Sequence, residues 1–330
     1  MPKHILITGG AGFIGSHLVR AFLADGNQIR VLDNFSTGSR QNLTEVEPSI
    51  EVIEGDIRNA ETCAEACQGI ETLYHLAALG SVPRSIEDPM TTNAVNVQGT
   101  LNLLVAARDA GVRRFVFSSS SSVYGDTPTL PKQETMRPSP RSPYAVSKLA
   151  GEEYCRAFSH AYDLETVSLR YFNVFGPRQN PYSQYAAVIP RFVSALQEER
   201  QPILYGDGSQ SRDFTYVANV VEANRLAGQA PGVTGEVFNI ARGEQIAVKQ
   251  VLAEIAAILH KEYTPQYQPM RVGDVRHSLG DISAARERLH YNPEISFSEG
   301  LAQCVCWYVA QATTEWKHSF GEQRNTKGWS

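Results

Sequence analysis

The chain has 330 residues, 42% hydrophobic and 20% charged, with a formal net charge of −5. That length holds one large or two closely joined domains around a sizeable core, and the composition is that of an ordinary globular protein. The mildly acidic balance offers no broad basic field, which argues against nucleic acid as a main partner, and no stretch nears the ~18 apolar residues of a membrane span.

Strand and helix patterns alternate through the first half. His4–Thr8 reads as a short apolar strand, too brief for a secretory signal core, and it leads into a glycine turn over Gly9–Gly15. Helical spacing runs from Phe13 to Ala24, followed by strands over Gln28–Asp33 and Ser49–Glu54, a helix over Asn59–Cys67 and a fourth strand over Glu71–His75. A long helix spans Thr92–Ala110, stopped by Gly111. A fifth strand over Arg113–Phe117, a second long helix over Ser142–Tyr162 and a sixth strand over Glu165–Leu169 complete the alternation. Such a pattern predicts a doubly wound α/β fold, a parallel sheet with helices on both faces. Beyond Tyr171 the pattern is broken by Pro177, Pro181, Pro190 and Pro202 and by a tight turn at Gly206 and Gly208. Helical spacing returns at Ala186–Glu199, Val217–Leu226 and Val248–His260, and the polar tail, residues 313–330, is expected to fray.

The cysteines, Cys63, Cys67, Cys155, Cys304 and Cys306, are an odd set with no neighbouring histidine or second pair to complete a metal site. They read as neutral thiols in a reducing cytoplasm, with no metal expected.

Gly9, Gly12 and Gly15 stand in G-x-x-G-x-x-G between a strand and a helix, a variant of the dinucleotide-binding turn. Glycines there let the backbone approach a pyrophosphate seated at the helix N-terminus. Asp33 ends the next strand, where a carboxylate accepts from ribose hydroxyls and repels a 2′-phosphate, so NAD is favoured over NADP. Asp56, after the third strand, has two compatible readings: an acceptor for the adenine amino group, or a helix N-cap.

Tyr144-Ala-Val-Ser-Lys148 places a phenol and an amine on one helical face. A free tyrosine, with a pKa near ~10, is a poor base at neutral pH; a nearby ammonium stabilises its phenolate. Ser118–Ser122, just after the fifth strand, would lie at the carboxyl end of the sheet, and such a run suits donation to a reacting hydroxyl better than a packed strand end.

Taken with His75-Leu76-Ala77-Ala78 and Arg170-Tyr171-Phe172-Asn173, these motifs follow the order seen in extended short-chain dehydrogenases. Gly206-Asp207-Gly208, Ser211-Arg212-Asp213-Phe214 and Gly273-Asp274-Val275-Arg276-His277-Ser278 extend the match to about residue 310, and the whole resembles a nucleotide-sugar 4-epimerase. Ser81-Val-Pro-Arg-Ser85 and Tyr171-Phe-Asn-Val-Phe-Gly-Pro-Arg-Gln179, followed by Tyr185-Ala-Ala-Val-Ile-Pro190, resemble the bacterial UDP-N-acetylglucosamine 4-epimerases in particular.

The resemblance implies transient oxidation at sugar carbon 4 by NAD, with Tyr144 as base, Lys148 beside it, and Ser120 and Ser122 as hydroxyl contacts. It implies cofactor contacts from the glycine turn with Phe13 and Ile14, from Asp33, Asn34, Ser36, Thr37 and Gly38, from Asp56 and Ile57, and from Leu76, Ala77, Ala78, Asn96 and Phe172. For the UDP-sugar it implies Ser81, Arg84, Ser120, Asn173, Ala187, Val188, Tyr205, Arg212, Arg271, Asp274 and Ser278. The corresponding division is a Rossmann domain over residues 1–175 and about 214–240, and a smaller α/β substrate domain over 176–213 and 241–312. A homodimer joined through Thr92–Ala110 and Ser142–Tyr162 is also implied.

Related 4,6-dehydratases carry Asp-Glu where this chain has Ser121-Ser122, so elimination of water is disfavoured. A uronate substrate would need a carboxylate clamp, a role open to Arg84, and a plain UDP-glucose 4-epimerase is a further alternative. Ser278 falls where a small residue admits an N-acetyl group and a bulky tyrosine is associated with plain hexoses. A non-catalytic NAD-binding module is the rival from another class; retention of both Tyr144 and Lys148 argues against it.

Overall fold

In the computed structural model the described residues are 2–181, 187–269 and 275–312. A 7-stranded sheet organises the chain, from β1 (His4–Thr8), β2 (Gln28–Asp33), β3 (Glu51–Glu54), β4 (Thr72–His75), β5 (Arg114–Ser120), β6 (Glu165–Tyr171) and β7 (Glu236–Ile240). Its order is β3-β2-β1-β4-β5-β6-β7 and every pairing is parallel. Strand order reverses between β1 and β4, the place where open α/β sheets bind ligands beyond their carboxyl ends.

Packed on the sheet are α1 (Phe13–Ala24), α2 (Ala60–Cys67), α3 (Gly99–Asp109) and α4 (Pro143–Tyr162). Later in the chain come α5 (Val188–Gln197), α6 (Val217–Ala227), α7 (Val248–Leu259) and α8 (Phe297–Ala312). Helix α6 lies against α1, and β7 extends the sheet beside β6. One buried apolar cluster joins β1, α1, β6 and β7, and a second lies beneath α2, α3 and α4. A third gathers Phe175, Phe192, Phe214, Tyr216 and Phe297 under α5, α7 and α8. No helix among the described residues is long and apolar enough to cross a membrane.

Several expectations are corrected. The fifth strand does not stop at Phe117 but runs on to Ser120, because its serine hydroxyls find buried partners. The helix expected over Thr92–Ala110 is three pieces: Pro89–Asn93, a π-helical turn over Ala94–Gln98, and α3. The third strand begins at Glu51, since Glu47–Ser49 closes a 3₁₀ turn, and Asn59 rather than Asp56 caps α2, accepting from Thr62 N at 2.9 Å. Short helices over Val82–Glu87 and Ser283–Leu289 lie where no helix was expected. The tail over 313–330 lies outside the described residues.

Candidate active site

A cleft of about 670 Å³ opens over the carboxyl ends of β1 to β6. On its nucleotide side the main chain does most of the shaping. Gly9 holds φ +71°, and a Cβ there would sit 2.7 Å from Ala77 N; a Cβ on Gly15 would sit 2.1 Å from Gly9 O. Only glycine lets β1, the turn and α1 approach this closely. At Gly12, the N-cap of α1, a Cβ would meet Gly9 O at 3.1 Å, a tight contact but a looser one than at Gly9 or Gly15. The Asp33 carboxylate accepts from Ala11 N (2.9 Å) and Phe35 N (2.8 Å); burial pushes its pKa up and the two amides oppose that. Asp56 lines the cleft in a hydrogen-bonded pair with Arg58, which holds its carboxyl down at about 2, and it accepts from Asn34 Nδ2 at 2.9 Å.

The wall at residues 76–80 is fastened from behind. Thr100 Oγ1 donates to Asn96 O (2.6 Å), so it accepts from His75 Nε2 (2.9 Å). His75 Nδ1 then accepts from Thr8 Oγ1 (2.7 Å), which itself accepts from Ala77 N (3.3 Å). This order of donors fixes the ring tautomer, and burial pushes the His75 pKa down to about 3, so the ring is neutral. Asn96 was expected to touch the cofactor. Instead its side chain lies behind the cleft, bonded to Leu79 N (2.8 Å), Leu79 O (3.3 Å) and Ser147 Oγ (3.0 Å), which ties this wall to α4.

Helix α4 brings the phenol and the amine. Ser142 caps it, accepting from Ala145 N at 3.2 Å, with Pro143 in the first turn, so Tyr144 stands at the mouth of the cleft. A Cβ on Gly151 would fall 2.3 Å from Phe117 Cζ, so this glycine lets α4 lie directly on β5. Lys148 is consequently buried, donating to Ser118 O (2.8 Å) with its Nζ 5.1 Å from the Phe117 ring centre. Tyr144 and Ser120 both line the cleft, and the Ser120 hydroxyl favours the Tyr144 phenolate. Burial raises the Tyr144 phenol, and the Ser120 hydroxyl partly opposes this. Lys148 is itself pushed down to about 8 by burial, with Glu152 and Cys155 opposing. The charge on a desolvated group is costly, and that cost sets the direction of both shifts.

Away from the glycine turn, Asp213 is fully buried and accepts from Arg242 N (2.9 Å), Gly243 N (3.1 Å) and Gly280 N (3.0 Å). That clasp fixes the segments carrying Arg212 and Ser278, both of which line the cleft, and Ser278 N donates to Ser211 O at 3.1 Å. Ser122 Oγ and Gln179 Oε1 are buried in residues that line the cleft, and neither has a hydrogen-bond partner. A buried polar atom without a partner is costly, so both atoms suit a polar ligand.

The sequence profile of the NAD dependent epimerase/dehydratase family matches residues 5–241. The chain belongs to that family. The UDP-glucose 4-epimerase of Mycolicibacterium smegmatis is 41% identical over 304 residues, 91% of this chain and 96% of that protein. Among solved structures, the UDP-N-acetylglucosamine 4-epimerase of Methanobrevibacter ruminantium, in complex with UDP-N-acetylmuramic acid, is 39% identical with a TM-score of 0.90, covering 94% of this chain and 99% of that one. The Thermus thermophilus UDP-glucose 4-epimerase complex with NAD is 36% identical with a TM-score of 0.85, covering 93% and 99%. NAD is the family's cofactor, and the side-chain-free glycine turn and Asp33, both lining the cleft, fit it.

As an epimerase/dehydratase family member, the chain carries most of its expected site residues on one surface. Gly9, Gly12, Phe13, Ile14, Gly15, Asp33, Asn34, Ser36, Thr37, Gly38, Asp56, Ile57, Leu76, Ala77 and Ala78 line the cleft. Ser81, Arg84, Ser120, Ser122, Tyr144, Lys148, Phe172, Asn173, Arg212 and Ser278 line it too. Ala187, Val188 and Tyr205 do not: Ala187 and Val188 begin α5, and Tyr205 ends a strand paired with Gln266–Gln268. Arg271 and Asp274 lie outside the described residues. Sequence reasoning missed Gln179, Lys132, Arg141 and His277 as lining residues. Gln179 and His277 sit inside the motif runs, but their residue types alone give no sign of where they face.

Proposed function

We propose that this protein is a UDP-sugar 4-epimerase acting on the UDP-GlcNAc/UDP-GalNAc pair and on UDP-Glc/UDP-Gal. The observation that carries this reading is the grouping of Tyr144, Ser120 and Lys148 at a strand end where no described lining residue is a carboxylate. Among the described lining residues the acids are Asp33 and Asp56, both on the nucleotide side. A dehydratase needs an acid beside the tyrosine to expel water; an epimerase needs only a base that takes a proton and returns it.

NAD, when bound, supplies a reversible hydride acceptor at sugar carbon 4. The glycine turn, Asp33 and the 76–80 wall hold it, with Lys148 and Tyr144 at its nicotinamide end. Tyr144 as phenolate removes the 4-hydroxyl proton and later restores it. Ser120 aligns the reacting oxygen, and the unpartnered Ser122 hydroxyl gives a second contact. The Lys148 ammonium favours the phenolate once it forms. Arg212, with Arg271, binds the diphosphate, where guanidinium groups bond bidentately. Ser278 leaves room for an N-acetyl group. Residues 176–213 and 241–312 form the sugar half in this reading.

A panel of UDP-sugars read by product analysis tests the assignment. UDP-GlcNAc and UDP-GalNAc should interconvert without net NAD reduction; a 4-keto-6-deoxy product or released CO₂ would assign a different reaction. The cleft-lining Arg84 supports a second reading, a uronate substrate, which the same panel separates.

Exposed Ile86, Met90 (79% exposed), Val146 and Tyr154 stand on α4 and on the short helices packed against it. They support a homodimer through this face, and Val146→Asp should yield monomers by light scattering. The free cysteines, with Cys63, Cys67, Cys155 and Cys304 buried, agree with a cytoplasmic setting.

A further inference from the structure

One turn beyond Lys148 on the same face of α4 lies Glu152, a carboxylate with no solvent exposure. It accepts from Arg170 Nε (2.9 Å) and Nη2 (2.7 Å) and from the Ser119 hydroxyl. Arg170, on β6, is equally buried, stacks 4.7 Å over the Tyr124 ring, and leaves Nη1 without a partner. A buried ion pair with an unmet donor is a poor stabilising device, since desolvation offsets most of the attraction. Its position suggests another use. Ser119 is flanked by Ser118, whose carbonyl takes the Lys148 ammonium, and by Ser120, whose hydroxyl meets Tyr144. The carboxylate therefore touches the strand end that carries both halves of the reacting group.

We infer that Glu152, held by Arg170 and Ser119, is a positioning residue that keeps Lys148 charged and the serine strand end in register with Tyr144. The inference rests on the epimerase reading for its catalytic meaning.

The groups facing Lys148 leave Glu152 as its charged neighbour of helpful sign. On α4 itself are Tyr144, whose phenol is raised, and Cys155, whose thiol burial pushes up. From β4 comes the neutral His75; from β6, Tyr171, pushed up to about 12 by burial, and the cation Arg170; from the 3₁₀ turn Ser121–Tyr124, Tyr124, likewise pushed up to about 12. Residues 114–120 of β5 past Arg114 carry no ionisable side chain. The helices on the other flank bring Arg84 at the cleft, exposed Glu87, and the Arg108–Asp109 pair, where water screens charge. Replacing Glu152 by a neutral amide removes the carboxylate that favours the Lys148 ammonium and leaves Arg170 without its counter-charge, so Lys148 should lose its proton at lower pH.

An NMR titration of ¹³C-lysine-labelled protein reads this directly, with Lys148→Met assigning the signal. Glu152→Gln is expected to lower the Lys148 midpoint by about one pH unit, a tenfold change in its ionisation ratio. At pH ~8 the charged fraction of Lys148, and with it kcat, should fall about fivefold, with KM for the UDP-sugar changed less than about twofold. Arg170→Gln should move the midpoint upward and stands in if Glu152→Gln does not fold. A midpoint unmoved in folded Glu152→Gln, or an unmoved or lowered one in Arg170→Gln, overturns the inference. The titration needs no sugar, so failure of the epimerase assignment would appear in the substrate panel and not here.

Discussion

The two sides of the cleft are built by different means. On the nucleotide side the backbone makes the surface: Gly9 and Gly15 have no room for a Cβ, and Asp33 is pinned by two main-chain amides. On the other side, the sugar side in the proposed function, replaceable side chains make it: Ser122 and Gln179 present unpartnered polar atoms, while Arg212 and Ser278 ride on segments clasped by Asp213. A surface made by the main chain tolerates few substitutions, so it suits a part of the ligand that never changes. A surface made by side chains can be altered one residue at a time without refolding, so it suits the part that differs among substrates.

Substitutions can break or sharpen that contrast. The largest effect is expected at the junction. Tyr144→Phe should lower kcat by ~10²–10⁴-fold, the usual worth of a positioned base, with an unchanged melting curve; substantial remaining turnover would remove Tyr144 from its role. On the nucleotide side, Gly15→Ala should destabilise the fold by roughly 3 kcal/mol or more, since a Cβ 2.1 Å from a carbonyl cannot be relieved by rotating a side chain. Gly12→Ala, whose added Cβ meets Gly9 O at 3.1 Å, should lose less stability in a denaturant titration than Gly15→Ala and should weaken NAD binding. Equal stability losses at the two positions would contradict the backbone account.

A smaller effect is set by pH. With Lys148 at about 8, its ammonium is lost as pH rises through that value, so kcat/KM should decline on the alkaline side of about pH 8. The stability sign is opposite. The unfolded chain, with a lysine pKa near ~10.4, binds more protons than the folded one between about pH 8 and ~10.4. The burial penalty on this ammonium is therefore present in full below about 8 and fades across that window, and urea midpoints of wild type and Lys148→Met should converge there. The smallest change is expected on the sugar side: Ser278→Tyr should reduce turnover of UDP-GlcNAc relative to UDP-Glc by about tenfold, a pocket-shape effect of ~1–3 kcal/mol. An unchanged ratio would take Ser278 out of the specificity argument.

Much of the nucleotide side was legible in the sequence. Strands His4–Thr8 and Gln28–Asp33 and the helix Phe13–Ala24 have the predicted bounds, because apolar period and glycine spacing act within a few residues. The strand end was misread because serine in a buried strand looks unfavourable until its partners are known. Tyr171 and Glu152, which receive Ser118 and Ser119, lie 53 and 33 residues further along. The partners of Asn96 were hidden for a similar reason: the resemblance implies a cofactor contact, and only the fold shows its side chain bonded to Leu79 and Ser147.

By itself the sequence determined the doubly wound parallel sheet, the glycine turn with Asp33, and the presence of Tyr144 and Lys148 on one helical face. Those features follow from side-chain period, backbone sterics and helical geometry, all local. Only the tertiary structure decided which polar groups are satisfied and which are left open: the neutral His75 strut, the Asp213 clasp, the Glu152–Arg170 pair, and the free Ser122 and Gln179 atoms. A buried polar group is settled by partners far away in the chain, and no local pattern encodes that distance.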